Sequence, residues 1–307
     1  MIEIKDLKKS FGDLKVLKGI DQTINDKEVL CVIGPSGGGK STFLRCLNRL
    51  ETPDSGKILL DGVEITENNI IEIREKMGMV FQNPGSSFNP IRSYKKQFIE
   101  TLKSHGMYEK GAFLPQVAEA FNKLGLTDVE RIINSCPYEM SGGMNQRIAM
   151  AITLILGQEI LLADEPTSAL DATIQMQMAN ELRHLRDVTG ISQIIVTHNL
   201  ALAEYLGDRI AVMYSGRVVE LGEASTVLHD ARHPYTKSLI AAIPALDGMM
   251  PVGLSGSPPM TGPAETGCEF SPRCKRVGKG CQDMTYSLAD VGNGHFVSCP
   301  CAKGGAE

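Results

Sequence analysis

The chain has 307 residues, and its 31 basic and 36 acidic side chains give a formal net charge of −5. This length fits one large domain with an appendage, or two domains, and the mildly acidic balance argues against a dedicated nucleic-acid coat. A hydrophobic content of 42% with 22% charged residues excludes a disordered chain. The opening MIEIKDLKKS lacks the apolar core of a secretory signal. No apolar run approaches the roughly 18 residues of a membrane span.

Three short apolar runs, at residues 27–34, 159–164 and 193–198, predict strands buried on both faces of a parallel sheet. Helical patterns follow these runs over residues 41–49, 173–188 and 200–206. The alternation predicts an α/β domain of the doubly wound kind over residues 1–243. Between about 88 and 155 the pattern is mainly helical, so we expect a helical insertion there.

Residues 244–307 hold 7 of the 15 prolines, 11 of the 31 glycines and 5 of the 8 cysteines. So many residues that break regular structure predict a loop-rich C-terminal extension.

The segment GPSGGGKS follows the first predicted strand, opens a predicted helix and matches the phosphate-binding loop pattern G-x-x-x-x-G-K-S/T. Its glycines let backbone N–H groups converge on phosphate oxygens, and the helix N-terminus adds positive potential. Lys40 is predicted to reach the β- and γ-phosphates, and Ser41 to ligate Mg²⁺. The alternative is a glycine-rich turn without a ligand. The predicted nucleotide-binding residues of this loop are Gly34, Pro35, Ser36, Gly37, Gly38, Gly39, Lys40, Ser41 and Thr42.

Two adjacent acids follow the apolar run ILLA. Asp164 is predicted to help hold Mg²⁺, and Glu165 to polarise the attacking water. An acidic pair in a solvated loop is the alternative, and the phosphate-binding loop upstream favours the catalytic interpretation.

The segment MSGGMNQR places Ser141, Gly142 and Gly143 at the start of a second helix. This gives a second phosphate-binding helix N-terminus, and one γ-phosphate does not need two from the same subunit. We therefore predict that these residues serve the nucleotide of a partner subunit. A simple serine N-cap with glycines in the turn is the alternative.

Together these segments resemble the nucleotide-binding subunits of ATP-binding cassette (ABC) transporters, over nearly the whole chain. GPSGGGKS resembles Walker A, ILLADEP resembles Walker B and MSGGMNQR, including Gln146, resembles the family signature. The resemblance implies further roles for four residues: Gln82 as the Q-loop ligand of Mg²⁺ or water, Asp171 as a subunit contact, His198 as a partner of the γ-phosphate or water, and Phe11 as the aromatic that stacks on adenine.

Three residues depart from the family pattern. Gly38 stands where Ser is usual, Met140 where Leu is usual and Asn145 where Arg is usual. All hydrolytic positions are present, so the resemblance implies an active ATPase with altered interface strength.

Residues 77–90 and 233–244 resemble the dipeptide, oligopeptide and nickel importer branch, while residues 11–20 and 43–51 look more like amino-acid importers. The resemblance implies an ATPase that energises uptake of peptides or nickel at the cytoplasmic face of the membrane. Its implied partners are a second ATPase subunit, identical or a paralogue, two permease subunits and, indirectly, a solute-binding protein. An amino-acid importer ATPase, a soluble ABC-type ATPase that does not drive transport and a non-catalytic regulatory binder are the alternatives.

Five cysteines lie within residues 268–301. Thiolates in a loop-rich segment can fold around a metal, and the wide gaps suit an iron–sulphur cluster better than zinc. The resemblance implies a 4Fe-4S cluster on Cys268, Cys274, Cys281 and Cys299, with Cys301 spare. Zinc and free thiols are the alternatives.

Overall fold

The computed structural model describes residues 1–80, 88–167, 172–242 and 267–302. The strands are β1 (Ile2–Phe11), β2 (Leu14–Ile24), β3 (Val29–Ile33), β4 (Ser55–Leu60), β5 (Val63–Glu64), β6 (Met77–Val80), β7 (Ile160–Asp164), β8 (Ser192–Val196), β9 (Arg209–Tyr214), β10 (Arg217–Glu223), β11 (Ala289–Asp290) and β12 (Phe296–Val297). The helices are α1 (Lys40–Leu47), α2 (Ile70–Lys76), α3 (Tyr94–Ser104), α4 (Phe113–Lys123), α5 (Val129–Asn134), α6 (Gly142–Ile155), α7 (Ala172–Thr189), α8 (Leu200–Leu206), α9 (Ala224–His229) and α10 (Pro234–Ala241).

Contacts divide the chain into two compact units. The first unit contains residues 1–65 and 196–307, and the second unit contains residues 66–195. The predicted domain boundary at 243/244 falls within residues 243–266, which lie outside the described part of the chain, so it stays a prediction. In the described residues, no helix is long and apolar enough to span a bilayer.

The first unit contains two sets of strands. One is an antiparallel sheet in the order β2-β1-β4-β5, in which Ile2 pairs with Ile24 on one side and Leu60 on the other. The other has the order β11-β12-β10-β9-β3, and β3 runs parallel to β9. All five residues of β3 are buried, as expected for a strand that is covered on both faces.

The second unit combines strands in the order β8-β7-β6 with a group of helices. Strands β6 and β7 are parallel, with Met77 opposite Ile160. The described residues between 88 and 155 form helices and connecting turns, which confirms the predicted helical insertion. Its core contains the edge-to-face pair Phe98 and Phe121, whose ring centroids are 5.9 Å apart.

The C-terminal segment, residues 267–302, packs on the rest of the first unit although it contains little regular structure. Strand β12 pairs with β10, and Phe270 is 2% exposed. The ring centroid of Phe270 lies 5.4 Å from that of Tyr214 and 5.6 Å from that of Tyr235. A small aromatic cluster therefore supplies part of the core that the loops themselves lack.

Two buried carboxylates also attach this segment. Glu220 on β10 is fully buried, and its Oε1 lies 2.8 Å from Nε2 of His295. Glu269 accepts a hydrogen bond of 2.7 Å from the Nζ of Lys18 on β2, with Arg217 Nε at 3.7 Å from the same oxygen. Both carboxylates thus face positive or donor groups, which offsets the cost of burying them.

We expect Glu269→Ala to lower the free energy of unfolding by about 3–5 kcal/mol, because it leaves the buried ammonium of Lys18 without its carboxylate. Glu64→Ala is the matched control, since the Lys57–Glu64 pair is 62% and 40% exposed and is worth at most about 1 kcal/mol. Denaturant unfolding curves of the two variants measure the difference. Equal losses would contradict a stabilising role for the buried pair.

Candidate functional site

The phosphate-binding loop leaves the end of β3 and leads into α1. Gly34, its first residue, has φ 149°, and a Cβ there would lie 2.2 Å from the carbonyl oxygen of Met213 on β9. Gly39 precedes α1 with φ 93°, and a Cβ there would lie 2.9 Å from the carbonyl oxygen of Val16 on β2. Both ends of the loop are therefore held against neighbouring backbone at positions that require glycine.

Helix α1 begins at Lys40, and no side chain caps its N-terminus. Ser36 and Gly37 are exposed at the tip of the loop, while Ser41 and Thr42 are half-buried in the first turn. Uncapped first-turn amides and the helix dipole favour an anion at this end of the helix. This geometry fits the predicted binding of nucleotide phosphates.

Lys40 is 5% exposed, and its Nζ donates to two carbonyls of the same loop, that of Gly34 at 3.0 Å and that of Pro35 at 2.8 Å. The ammonium therefore lies inside the curve of the loop. A phosphate bound there would meet a positive charge that is already positioned.

The contacts of the loop glycines predict different tolerances to alanine. Gly34→Ala forces a Cβ into the Met213 carbonyl, so we expect a loss of about 1–3 kcal/mol in unfolding free energy and weaker ATP binding. At Gly38, a Cβ would lie 3.0 Å from the carbonyl oxygen of Pro35, so Gly38→Ala needs only a small shift. Unfolding curves and binding of a fluorescent ATP analogue compare the two variants. Equal effects of Gly34→Ala and Gly38→Ala would refute the conclusion that, of these two glycines, only Gly34 is held tightly against neighbouring backbone.

Two further predicted site residues of the first unit are exposed. The N–H of Thr197 donates to the carbonyl of Val32 on β3 at 3.1 Å, so the exposed His198 follows directly after a bond to the strand that feeds the loop. Phe11 ends β1 and is 45% exposed, with the Nζ of Lys9 5.0 Å from its ring centroid. An exposed ring in this hairpin is compatible with stacking on a base.

The acidic pair of the second unit lies at the end of β7. Asp164 is 5% exposed and ends the strand. Glu165, half-buried, follows with φ 47°, a left-handed conformation that is unfavourable for a residue with a side chain. Strain of this kind is concentrated at functional sites, because the surrounding structure must hold it in place.

The signature segment opens α6. Ser141 is its N-cap, and Oγ accepts a hydrogen bond of 3.3 Å from the N–H of Met144. Ser141 and Gly142 are exposed and Gly143 is half-buried. Gln146 differs, because it is 1% exposed and its amide donates to the carbonyl of Pro166, next to Glu165. This buried position makes Gln146 a link between α6 and the end of β7.

From the sequence, Asn145 is recognised only as a departure from the family pattern, and Tyr94 is not singled out. Both are buried, and the hydroxyl of Tyr94 donates to Oδ1 of Asn145. The sequence contains one indication that Asn145 is buried: it is a polar residue at a helix position where the spacing predicts an apolar one. Gln82 and Asp171, the two remaining predicted site residues, lie outside the described residues.

The C-terminal cysteines lie near one another, and all are free thiols. Burial raises the pKa of Cys299 to about 11 and raises that of Cys268, and the neighbouring cysteines contribute to both shifts. Cys301, expected to be spare, interacts with Cys281. In the described segments, however, no three His, Cys, Asp or Glu side chains form a group that could hold a metal ion.

The cysteines next to the phosphate-binding loop are packing residues, as their sequence context indicates. Cys31 and Cys46 are both fully buried, and burial raises the pKa of each thiol to about 12. Protonated thiols without solvent access behave as small apolar side chains.

Comparison with known proteins shows which family models and solved structures this chain matches. Residues 17–168 match the family model described as ABC transporter, and residues 219–281 match the oligopeptide/dipeptide transporter C-terminal region. A dimeric ATP-binding cassette in a post-hydrolysis state, bound to ADP and Pi, is 28% identical, with a TM-score of 0.64 over 73% of this chain and 99% of that chain. The fold and the site therefore define a P-loop ATPase of the ATP-binding cassette class.

Curated relatives identify the branch of the ATP-binding cassette class to which the chain is similar. A probable peptide ABC transporter ATP-binding protein of Sinorhizobium fredii is 36% identical over 93% of this chain and 82% of its own length. The oligopeptide transport ATP-binding protein OppD of Bacillus subtilis is 34% identical over 97% of this chain and 87% of its own length. The chain belongs to the ABC transporter ATP-binding protein family, in the branch with the oligopeptide/dipeptide C-terminal region.

Proposed function

We propose that this chain hydrolyses ATP to drive import of di- and oligopeptides through a separate membrane permease, as a peripheral subunit on the cytoplasmic face of the membrane. The observation that carries the proposal is an ABC-type phosphate-binding loop in one chain with the oligopeptide/dipeptide C-terminal region. The names of both curated relatives, which include peptide or oligopeptide transport, support the cargo.

In this proposal the nucleotide phosphates lie in the loop before α1, where backbone amides and Lys40 neutralise their charge. Ser41, Asp164 and Gln82 would hold Mg²⁺, since a hydroxyl, a carboxylate and an amide carbonyl supply the oxygen ligands that this ion prefers, and Asp164 ends a buried strand. Bound Mg²⁺ supplies additional charge neutralisation on the β- and γ-phosphates. Glu165 orients and polarises the attacking water, His198 holds the γ-phosphate or that water, and Phe11 stacks on adenine.

A second ATPase subunit completes each site. Ser141, Gly142 and Gly143 contact the nucleotide held by the partner, and Asp171 supports contact between the two subunits. The exposure of Ser141 and Gly142 at the start of a 14-residue helix supports this role, because a helix N-terminus that is open to a partner can receive phosphate oxygens.

The helical insertion is the proposed docking surface for the permease. Ile91 is 79% exposed, Tyr138 is 69% exposed and Leu114 is 48% exposed, all within this insertion. A contiguous patch of such side chains would be typical of a surface that a partner covers.

Uptake measurements in cells that lack the gene test the cargo. We expect labelled di- and oligopeptide uptake to disappear and to return with the wild-type chain but not with a Glu165→Gln chain. Loss of labelled nickel or amino-acid uptake with normal peptide uptake would contradict the peptide cargo and would assign the chain to another importer branch. Normal uptake of all three would favour an ATPase that is not coupled to transport.

Nickel as cargo and a 4Fe-4S cluster or zinc on Cys268, Cys274, Cys281 and Cys299 stay predictions from the sequence. The mutual proximity of the thiols favours a metal centre, while the lack of a metal-binding group in the described segments opposes it. Iron, zinc and acid-labile sulphide analysis after anaerobic purification separates these states. Near-stoichiometric free thiols in metal-free protein would eliminate the cluster.

A further inference from the structure

We propose that Asn145 and Tyr94 are positioning residues that hold the signature loop, residues 140–143, in the conformation that closes on the nucleotide of the partner subunit. The inference rests on the proposed function, because the signature loop needs that nucleotide as its target. We call the side chains of Asn145 and Tyr94, with the carbonyls that Asn145 binds, the Asn145 clamp.

The amide of Asn145 joins four groups. Its Nδ2 lies 3.1 Å from the carbonyl oxygen of Pro137, 3.3 Å from that of Met140 and 3.2 Å from that of Ser141. Its Oδ1 accepts the hydroxyl of Tyr94. The reversed amide would turn its oxygen toward three carbonyl oxygens, so this orientation alone satisfies the network. Asn145 is 6% exposed, so water does not replace these bonds easily.

Tyr94 fixes the other side of the clamp. It is fully buried at the start of α3, and its N–H donates to the carbonyl of Ser135 at 3.0 Å. Its ring makes an edge-to-face contact with Phe88, with centroids 5.2 Å apart. Burial raises the pKa of its hydroxyl, so the group stays a donor at physiological pH. The clamp therefore ties α3, the turn before the signature and α6 to one point.

The signature loop needs such support because its own residues provide little. Gly142 and Gly143 have no side chains to restrict the backbone, and Ser141 and Gly142 are exposed. Two of the three carbonyls that Asn145 binds belong to Met140 and Ser141, the residues that lead into the helix start. Fixing them orients the amides of the first turn before the partner arrives, and preorganised donors are those that accelerate a reaction.

Two variants test the clamp in the transporter purified with its own partner subunits. Asn145→Asp keeps the shape and the acceptor for Tyr94 but replaces the donor by a second carboxylate oxygen. Tyr94→Phe keeps the ring contact with Phe88 and removes only the hydroxyl. We expect kcat for ATP hydrolysis to fall at least 10-fold in Asn145→Asp and about 3–10-fold in Tyr94→Phe. Affinity of the chain's own phosphate-binding loop for a fluorescent ATP analogue should change less than 2-fold.

Phe121→Leu is the control, because Phe121 is a fully buried residue of the same helical insertion whose aromatic partner is Phe98. It should lower the melting temperature at least as much as Tyr94→Phe and leave kcat near the wild-type value. A kcat that falls in proportion to melting temperature in all three variants would overturn the positioning role. Wild-type transporter without ATP turnover would refute the proposed function itself, and with it the clamp, before any variant is compared.

Discussion

A Glu165→Gln chain should bind ATP with wild-type affinity and hydrolyse it about 10²–10⁴-fold more slowly, the range expected when a residue that accepts or orients a reacting proton is removed. The amide has the size of the carboxyl group, so the left-handed turn with φ 47° and the Gln146–Pro166 bond should both persist. The glutamine cannot polarise water as a carboxylate does. Phosphate release in a single turnover and equilibrium binding of a fluorescent ATP analogue measure the two quantities separately.

Glu159→Gln is the matched control for this experiment. Glu159 is exposed and directly precedes β7, so the same chemical change is made at the opposite end of the same strand. We expect wild-type turnover from it. Comparable turnover in the Glu165→Gln and Glu159→Gln chains would remove Glu165 from the catalytic site and would favour a regulatory nucleotide binder.

Lys40→Met should weaken ATP binding about 10–100-fold, because a hydrogen bond between charged groups is worth about 1.5–3 kcal/mol. Methionine retains the apolar stem in a position that is 5% exposed, so the change removes chiefly the ammonium. Hydrolysis at saturating ATP should fall as well, because the same charge neutralises the γ-phosphate during transfer. Calorimetric titration with ATP and steady-state kinetics measure binding and turnover.

Lys57→Met provides the comparison for Lys40→Met. Its side chain is 62% exposed and pairs with Glu64 on the surface, so neither ATP binding nor turnover should change. If Lys40→Met bound ATP as the wild type does, the ammonium would have only its observed role, that of donating to the carbonyls of Gly34 and Pro35.

Elements with one dominant physical cause were predictable from the sequence. The runs at 27–34, 159–164 and 193–198 became β3, β7 and β8, since continuous apolar segments of that length are stable only when both faces are covered. The helix predicted over 200–206 is α8. The antiparallel sheet β2-β1-β4-β5 was missed, because strands buried on one face intersperse charged residues and lack a continuous apolar run.

The candidate site likewise contains parts that the sequence predicts and parts that it does not. The phosphate-binding loop was predictable because its glycines, the strand end before it and the helix start after it are consecutive in the sequence. The roles of Gln146 and Asn145 were not predictable in this way, since Gln146 binds a carbonyl 20 residues away and Asn145 a hydroxyl 51 residues away. The neighbouring residues in the sequence do not distinguish a buried side-chain amide from an exposed one.

The pair Lys18 and Glu269 also has a consequence for the order of events during synthesis. The two residues are 251 positions apart, and β10 meets His295 across 75 positions. Loop closure over such distances cannot begin until the ribosome has released the C-terminal segment. The second unit, in contrast, is one continuous stretch, residues 66–195. All residues of the second unit are therefore synthesised before Glu269, which covers Lys18 on β2. During this stage of synthesis Lys18 and the ring of Tyr214 are exposed and can be bound by chaperones.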